Sequence, residues 1–255
     1  MSVFISIYLD DNSTTYERQH ASALWTLSQY GVDNVDGVTV GNEVLFNKWI
    51  SEAELVTRIS TVRSEVNSMG FSKTIPVGTS DLGANIDATL VAGSDYVMAN
   101  VHPFFAPNSA ATAANWTWNF FFQNDVNYAN QTSYPNLAAG GTKDIPAIIS
   151  ETGWPTRGNA SAGAIPGTDG LQTFLDTFLC QSNTMGVPYY FFEAFDEPWK
   201  IIYGELETSW GLFNSDRTLK SGITIPNCPI TTPTYWGGFG SGTPVNNFAI
   251  ETFTV

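Results

Sequence analysis

The sequence is short of charge, above all positive charge. Lys and Arg total 10 against 24 Asp and Glu, a formal net charge of −14, and charged residues make up 13% of the 255. That is about half the ~25% usual in globular chains. A chain this acidic repels phosphate backbones and anionic lipid, so nucleic acid and membrane surfaces are excluded as partners. No apolar run approaches the ~18 residues of a membrane span. Met1 to Leu9 offers no basic region and no small-residue cleavage site, so no secretory signal is read there. The sequence holds two cysteines, Cys180 and Cys228, and two isolated histidines, His20 and His102. These are too few for a structural zinc site, and no metal or cofactor is expected. The cysteines fit either one disulfide or two buried free thiols. No G-x-G-x-x-G and no P-loop occurs, which removes the usual marks of nucleotide binding.

What is abundant is apolar and aromatic. Hydrophobic residues make up 43%, with 17 Phe, 10 Tyr and 8 Trp, which suits a large core and also a cleft for sugar rings. Four Asn-x-Ser/Thr sequons, at Asn12, Asn115, Asn130 and Asn159, together with the low charge point to an extracellular ancestry.

Short β-rich runs begin near Val3, Val35, Thr74, Tyr96, Ile145 and Val187, and helical patterns lie between most of them. The clearest helix is predicted over 52–69, where Leu55, Ile59, Val62, Val66 and Met69 recur at helical steps, Ser51 and Glu54 form a capping box, and Gly70 stops it. Others are predicted over 16–30, 113–130 and 169–185. Alternating strands and helices at ~30–40 residue spacing read as βαβ units with a parallel sheet. Residues 229–255, rich in Thr, Gly and Pro, read as a poorly structured tail.

Two folds compete. A doubly wound sheet would carry a glycine-rich phosphate turn after its first strand, but here that strand ends Leu9-Asp10-Asp11-Asn12. A (β/α)8 barrel would carry polar groups at the C-terminal ends of its strands, and such groups are present. The second run ends Gly41-Asn42-Glu43, the third Thr79-Ser80-Asp81, the fourth Asn100-Val101-His102-Pro103-Phe104-Phe105. The fifth ends Ser150-Glu151-Thr152-Gly153-Trp154-Pro155, and the sixth Glu193-Ala194-Phe195-Asp196-Glu197-Pro198-Trp199-Lys200. An apolar run that delivers a carboxylate at its last residue is costly unless the carboxylate has partners or a task. Glu43 and Glu151 lie far apart in sequence but would meet at one mouth of a closed barrel. Two carboxyls flanking a bond are the minimal apparatus of glycoside hydrolysis.

Val40-Gly41-Asn42-Glu43-Val44 and Ser150-Glu151-Thr152-Gly153-Trp154-Pro155 resemble the two signatures of glycoside hydrolase family 17, the β-1,3-glucanases and glucanosyltransferases of plants and fungi. Phe192-Glu193-Ala194-Phe195-Asp196-Glu197 and Trp210-Gly211-Leu212-Phe213 resemble the fungal branch, and the resemblance runs from about Val3 to Cys228. It implies a retaining enzyme of the cell wall, working on β-1,3-glucan as a secreted glycoprotein and a monomer. Glu43 would be the acid/base, Glu151 the nucleophile, and Asn42 would hold the sugar 2-hydroxyl. Glu197 and Lys200 match charged positions of the family's last strand, and Glu193 of the same stretch is a further candidate for binding substrate; Lys200 would keep a carboxylate ionised or stay a surface residue. His102 would donate a hydrogen bond in the cleft or merely close its strand. Phe104, Phe105, Trp154, Phe195 and Trp199, at or just past strand ends, are the residues expected to line sugar subsites, Trp154 above all. The Gly-Asn-Glu motif belongs to the family's fourth strand, so the expected (β/α)8 barrel, residues 1–228, is incomplete, with its first two βα units missing. The rival expectations are an inactive fragment that at most binds glucan and a glycosidase of the same clan with another substrate.

Overall fold

The computed structural model describes residues 2–126 and 145–229. The predicted tail from Ile230 onward, the sequon at Asn130 and the end of the helix expected over 113–130 lie outside these residues. Six strands are present among the described residues: β1 (Val3–Ile7), β2 (Val35–Asn42), β3 (Val77–Leu82), β4 (Val97–Asn100), β5 (Ala147–Thr152) and β6 (Tyr189–Phe191). They follow one another in chain order in one sheet, and the pairs β1–β2, β2–β3 and β5–β6 are parallel. The helices are α1 (Ser13–Tyr30), α2 (Glu52–Ser68), α3 (Ala88–Gly93), α4 (Ala110–Phe121) and α5 (Thr168–Met185).

Three strands start later than the apolar pattern predicts, for one reason. Pro76, Pro146 and Pro188 stand just before β3, β5 and β6. Proline has no N–H to give to a ladder, so pairing opens with its carbonyl. Val38 N donates to Pro76 O at 2.9 Å, Val97 N to Pro146 O at 3.0 Å and Ile149 N to Pro188 O at 3.0 Å. The apolar residues ahead of each proline, Ile75, Ile145 and Val187, are buried all the same.

The chain divides into two compact units. The first holds residues 2–98 with 125–126 and 145–147. Its core lies between the sheet and the apolar stripes of α1 and α2, with Leu27, Leu55, Ile59 and Val62 against Ile7, Val38, Val40 and Val77, all fully buried. Ser51 caps α2, its hydroxyl accepting from Glu54 N at 3.3 Å. Asn12 caps α1 through Thr14 N, which starts that helix three residues before the predicted Tyr16.

The second unit holds residues 99–124 and 148–229. Here α4 packs on α5, with Trp118 stacked on Phe178 at 5.8 Å and its indole N–H donating to Ser182 Oγ at 2.9 Å. After Phe121 the chain passes into a π-helical turn, Phe122–Val126, so α4 is shorter than the pattern suggests. Cys180 and Cys228 are joined in a disulfide across 48 residues, tying α5 to the last described segment.

Candidate active site

In the first unit, Asn42 ends β2 and Glu43 follows it. Gly41 has φ +79° and Glu43 φ +55°, so the chain turns sharply between two left-handed residues. A Cβ on Gly41 would lie 2.9 Å from Val44 Cγ1, which explains the glycine of the Gly-Asn-Glu motif. A non-glycine residue at positive φ costs about 1–3 kcal/mol and persists only where its surroundings over-determine it. They do so here. Glu43 N donates to Ser80 O at 3.0 Å, and Glu43 O accepts from Asn47 N at 2.9 Å and Asn47 Nδ2 at 2.8 Å. Asp81, at the end of β3 and fully buried, holds the segment after Glu43. Its Oδ2 accepts from Leu45 N at 2.8 Å and its Oδ1 from Phe46 N at 3.3 Å, Leu82 N at 2.8 Å and Asn85 Nδ2 at 2.7 Å. Sequence reasoning gives Asp81 no role. Its signal was available: a carboxylate closing a strand after Thr79 and Ser80, whose burial has to be repaid by nearby N–H donors.

In the second unit, Glu151 lies on β5, with its backbone oxygen accepting from Val101 N at 2.8 Å. The Glu151 carboxylate meets His102, Oε2 to Nε2 at 3.3 Å. A carboxylate only accepts, so the histidine tautomer that fits carries its proton on Nε2. His102 Nδ1 is buried with no hydrogen-bond partner. The imidazole is walled by Trp210, Phe192 and Phe105, with ring centres at 5.0, 5.4 and 6.2 Å. Gly153, two residues past Glu151, has no room for a side chain: a Cβ would stand 1.9 Å from Phe192 O. The strand-end backbone of β6 thus passes against the Glu-Thr-Gly-Trp-Pro segment.

Beyond β6, Lys200 binds two carboxylates. Its Nζ lies 3.0 Å from Glu193 Oε2 and 2.6 Å from Glu197 Oε2, and it sits over the Phe192 ring at 4.8 Å. Burial pushes the Glu193 carboxyl up to about 7, against the pull of Lys200 and with help from neighbouring Glu197. Burial also opposes ionisation of Glu197, but Lys200, Glu193 and the Trp199 indole together outweigh it, and its pKa lies below the usual value. One carboxyl of the trio is therefore poised to keep a proton near neutrality while the other is ionised. Such a trio can donate to one hydroxyl and accept from another.

Two expectations are corrected. Phe104 and Trp154 are 0% and 1% exposed, so neither ring offers a face to a sugar. They pack edge to face at 5.2 Å, and the Trp154 indole donates to Ile165 O at 3.1 Å. The cause is the turn after each strand, which folds both rings back into the core instead of leaving them on the rim. Phe195 is partly exposed, beside Phe213 at 5.7 Å. The structure thus brings together Glu151 with His102, and Glu193 with Glu197 and Lys200, in the second unit, whereas Asn42 and Glu43 belong to the first. Among the described residues no group of His, Cys, Asp and Glu is arranged to hold a metal ion, and no helix is long and apolar enough to cross a membrane.

Comparison with known proteins bears on this arrangement. The family model of the BtgE/BtgC glycoside hydrolase domain matches residues 1–211. An Aspergillus niger protein bearing the name glucan endo-1,3-beta-glucosidase btgC is 39% identical over 247 residues, covering 89% of this chain and 34% of its own. The glucan endo-1,3-beta-glucosidase btgC of Emericella nidulans is 33% identical over 248 residues, covering 89% and 36%. The chain thus spans about a third of the length of these relatives. Among solved structures, the family 17 β-1,3-glucanosyltransferase of Rhizomucor miehei superposes with a TM-score of 0.74 at 27% identity, covering 88% of this chain and 76% of its own.

Proposed function

This chain belongs to the BtgE/BtgC glycoside hydrolase domain family, and from that premise we propose that it is a retaining β-1,3-glucan glycosidase of the fungal cell wall. Glu43 is the acid/base and Glu151 the nucleophile. The observation that carries the assignment is the contact of His102 with Glu151 inside the Glu-Thr-Gly-Trp-Pro segment. An imidazole donor on one carboxylate oxygen fixes its orientation and favours its ionised form, leaving the other oxygen for the anomeric carbon.

The chemistry then runs in two displacements. Glu151 attacks the anomeric carbon as the glycosidic bond breaks, and Glu43 gives its proton to the departing oxygen. A covalent glucosyl-enzyme results. Glu43, now ionised, takes a proton from water or from a sugar hydroxyl, which displaces Glu151 and restores both groups. Water as acceptor means hydrolysis; a glucan hydroxyl means chain transfer. Asn42, one residue before the acid/base, binds the 2-hydroxyl, and Glu193, Glu197, Lys200 and Phe195 line the substrate path. The enzyme acts outside the cell, where the Cys180–Cys228 bond would persist. On this reading the six strands are part of a (β/α)8 arrangement.

The test is Glu151→Ala assayed on soluble β-1,3-glucan beside the unmodified chain. Turnover is expected to fall by roughly 1000-fold or more. Equal turnover removes Glu151 from the mechanism. An unmodified chain that binds β-1,3-glucan and releases no sugar would favour an inactive glucan-binding module instead.

A further inference from the structure

Three Asn-x-Ser/Thr sequons lie among the described residues, and the fold treats them differently. At Asn12-Ser13-Thr14 the Asn12 side-chain oxygen caps α1, accepting from Thr14 N at 3.1 Å and from Thr14 Oγ1 at 2.9 Å. Asn115-Trp116-Thr117 lies inside α4, where Thr117 is fully buried and its hydroxyl donates to Ala113 O at 2.9 Å. Asn159-Ala160-Ser161 belongs to neither a helix nor a strand of the sheet. It opens a tight turn of the second unit, between β5 and α5. Ser161 N donates to Ala164 O at 3.0 Å and Ala164 N to Ser161 O at 2.7 Å, and the chain reverses through Ala162 at φ +48° and Gly163 at φ +95°. The turn is anchored at both roots. A Cβ on Gly158 would stand 2.7 Å from Leu206 Cα, and Ala164 is fully buried. Between these roots Asn159 and Ala160 are exposed. A firmly rooted, exposed loop tip accepts a bulky polar substituent without unwinding a helix or opening the core.

The same loop leaves an apolar side chain uncovered. Ile165, just past the turn, is 71% exposed. It borders a groove of about 710 Å³ at the N-terminal ends of α4 and α5, lined also by Ser109, Gly163, Thr168, Asp169 and Thr173. The walls are small and polar around one large apolar side chain. An amino sugar has the matching surface, a C–H face edged by hydroxyls. We propose that Asn159 carries an N-linked oligosaccharide whose first sugars lie over Ile165 along this groove. The inference goes beyond the catalytic reading and shares with it only the placement outside the cell. In the transfer, Asn159 Nδ2 bonds to C1 of the first sugar of a polyprenyl-diphosphate-linked oligosaccharide. The C1–O bond to the diphosphate breaks, the diphosphate leaves with the electron pair, and the amide gives up one proton. Nothing is oxidised or reduced. The attached sugar also supplies hydration to a chain in which charged residues are only 13%.

The test secretes the full chain from a yeast host behind an added leader peptide. Glycans are removed by a glycan-releasing amidase in ¹⁸O-water, which leaves a labelled aspartate wherever a glycan was attached, and the peptides are read by mass spectrometry. Label is expected at position 159, and the intact protein should lose the mass of one glycan in Asn159→Gln and equally in Ser161→Ala. The second variant keeps the asparagine, so an effect shared by both belongs to the glycan. Each is expected to lower the melting temperature by about 2–4 °C. Ile165→Ser is expected to lower it similarly in the glycosylated chain and to add nothing to Asn159→Gln, because the contact is already gone. A secreted chain with no label at position 159 overturns the proposal, whether or not Asn12 or Asn115 is labelled. Strictly additive effects of Ile165→Ser and Asn159→Gln overturn the seat on Ile165. The glucanase reading is judged separately, by sugar released from soluble glucan, which Asn159→Gln is expected to leave unchanged.

Discussion

Replacing Lys220 by Met is expected to be the most damaging single change of charge in the second unit. Lys220 and Asp196 are each 7% exposed and lie 2.7 Å apart. The ammonium also donates to Thr156 Oγ1 at 2.7 Å and to Ser209 O at 3.1 Å. Asp196 Oδ1 accepts from Gly211 N at 3.1 Å. The pair therefore ties three pieces together: the chain after β6, the segment bearing Trp210, and the residues that follow the Glu-Thr-Gly-Trp-Pro motif. Methionine keeps the length and apolar stem but leaves the Asp196 carboxylate without its main partner. Breaking a buried pair from one side costs about 3–5 kcal/mol. The low end applies, because Arg157 stays 3.6 Å from the other Asp196 oxygen and Gly211 N remains. A loss of about 3 kcal/mol lowers the melting temperature by about 6–12 °C in a protein of this size. Urea unfolding followed by circular dichroism measures it. Asp196→Asn/Lys220→Met removes both charges, and its cost is expected to fall well short of the sum of the single changes. A single-variant cost below about 1 kcal/mol, or strict additivity, would refute the reasoning.

Other consequences follow from the same contacts. His102→Phe keeps the packing against Trp210 but removes the donor on Glu151, so kcat on soluble glucan should drop by about tenfold or more with the melting temperature little changed. Gly153→Ala places a methyl group on Phe192 O and should cost more than about 4 kcal/mol, seen as insoluble expression or a collapse of the unfolding midpoint. Cys180→Ser/Cys228→Ser opens the 48-residue link and should cost about 2–4 kcal/mol in urea unfolding. Stability should also fall as pH rises. Burial pushes the Asp125 carboxyl up to about 8 and Glu193 to about 7, so the folded state holds protons that the unfolded chain, with ordinary carboxyls, has already released. The contribution is complete below pH ~4 and is lost progressively up to about pH 8. Melting curves at pH 5 and pH 8 check this; a higher midpoint at pH 8 would contradict it.

The repeating frame was legible because burial leaves a period in the sequence. The stripe from Leu55 to Val66 announces α2, and Ser51 announces its start; α2 runs Glu52–Ser68 as that stripe requires. The short α3 was not legible: six residues hold too little of a period, and its start rests on the local bonds of Asp87 to Thr89 N and Leu90 N. At the site, carboxylates at strand ends were visible as misfits in apolar runs. What those runs could not reveal was the direction of side chains just past the strands. Phe104 and Trp199 look alike in sequence, each an aromatic beside a proline at a strand end, yet one is fully buried and the other mostly exposed. The difference lies in tertiary neighbours, the rings of Trp154 and Trp210 around Phe104 and the edge of Tyr203 with the polar ends of Lys200 and Glu197 beside Trp199. The task of Asp81 was hidden for the same reason, since its partners are backbone N–H groups and the Asn85 amide, from segments on either side of it in space.

The central claim is covalent, and one measurement reaches it directly. The unmodified chain is incubated with a 2-deoxy-2-fluoro-laminaribiosyl fluoride, whose fluorine slows release of the sugar from the enzyme, and the digested protein is read by mass spectrometry. The account predicts a single disaccharide adduct on the peptide that contains Glu151, lost in Glu151→Gln. An adduct on Glu43, or rapid consumption of the reagent with no adduct and with inverted product, would contradict it.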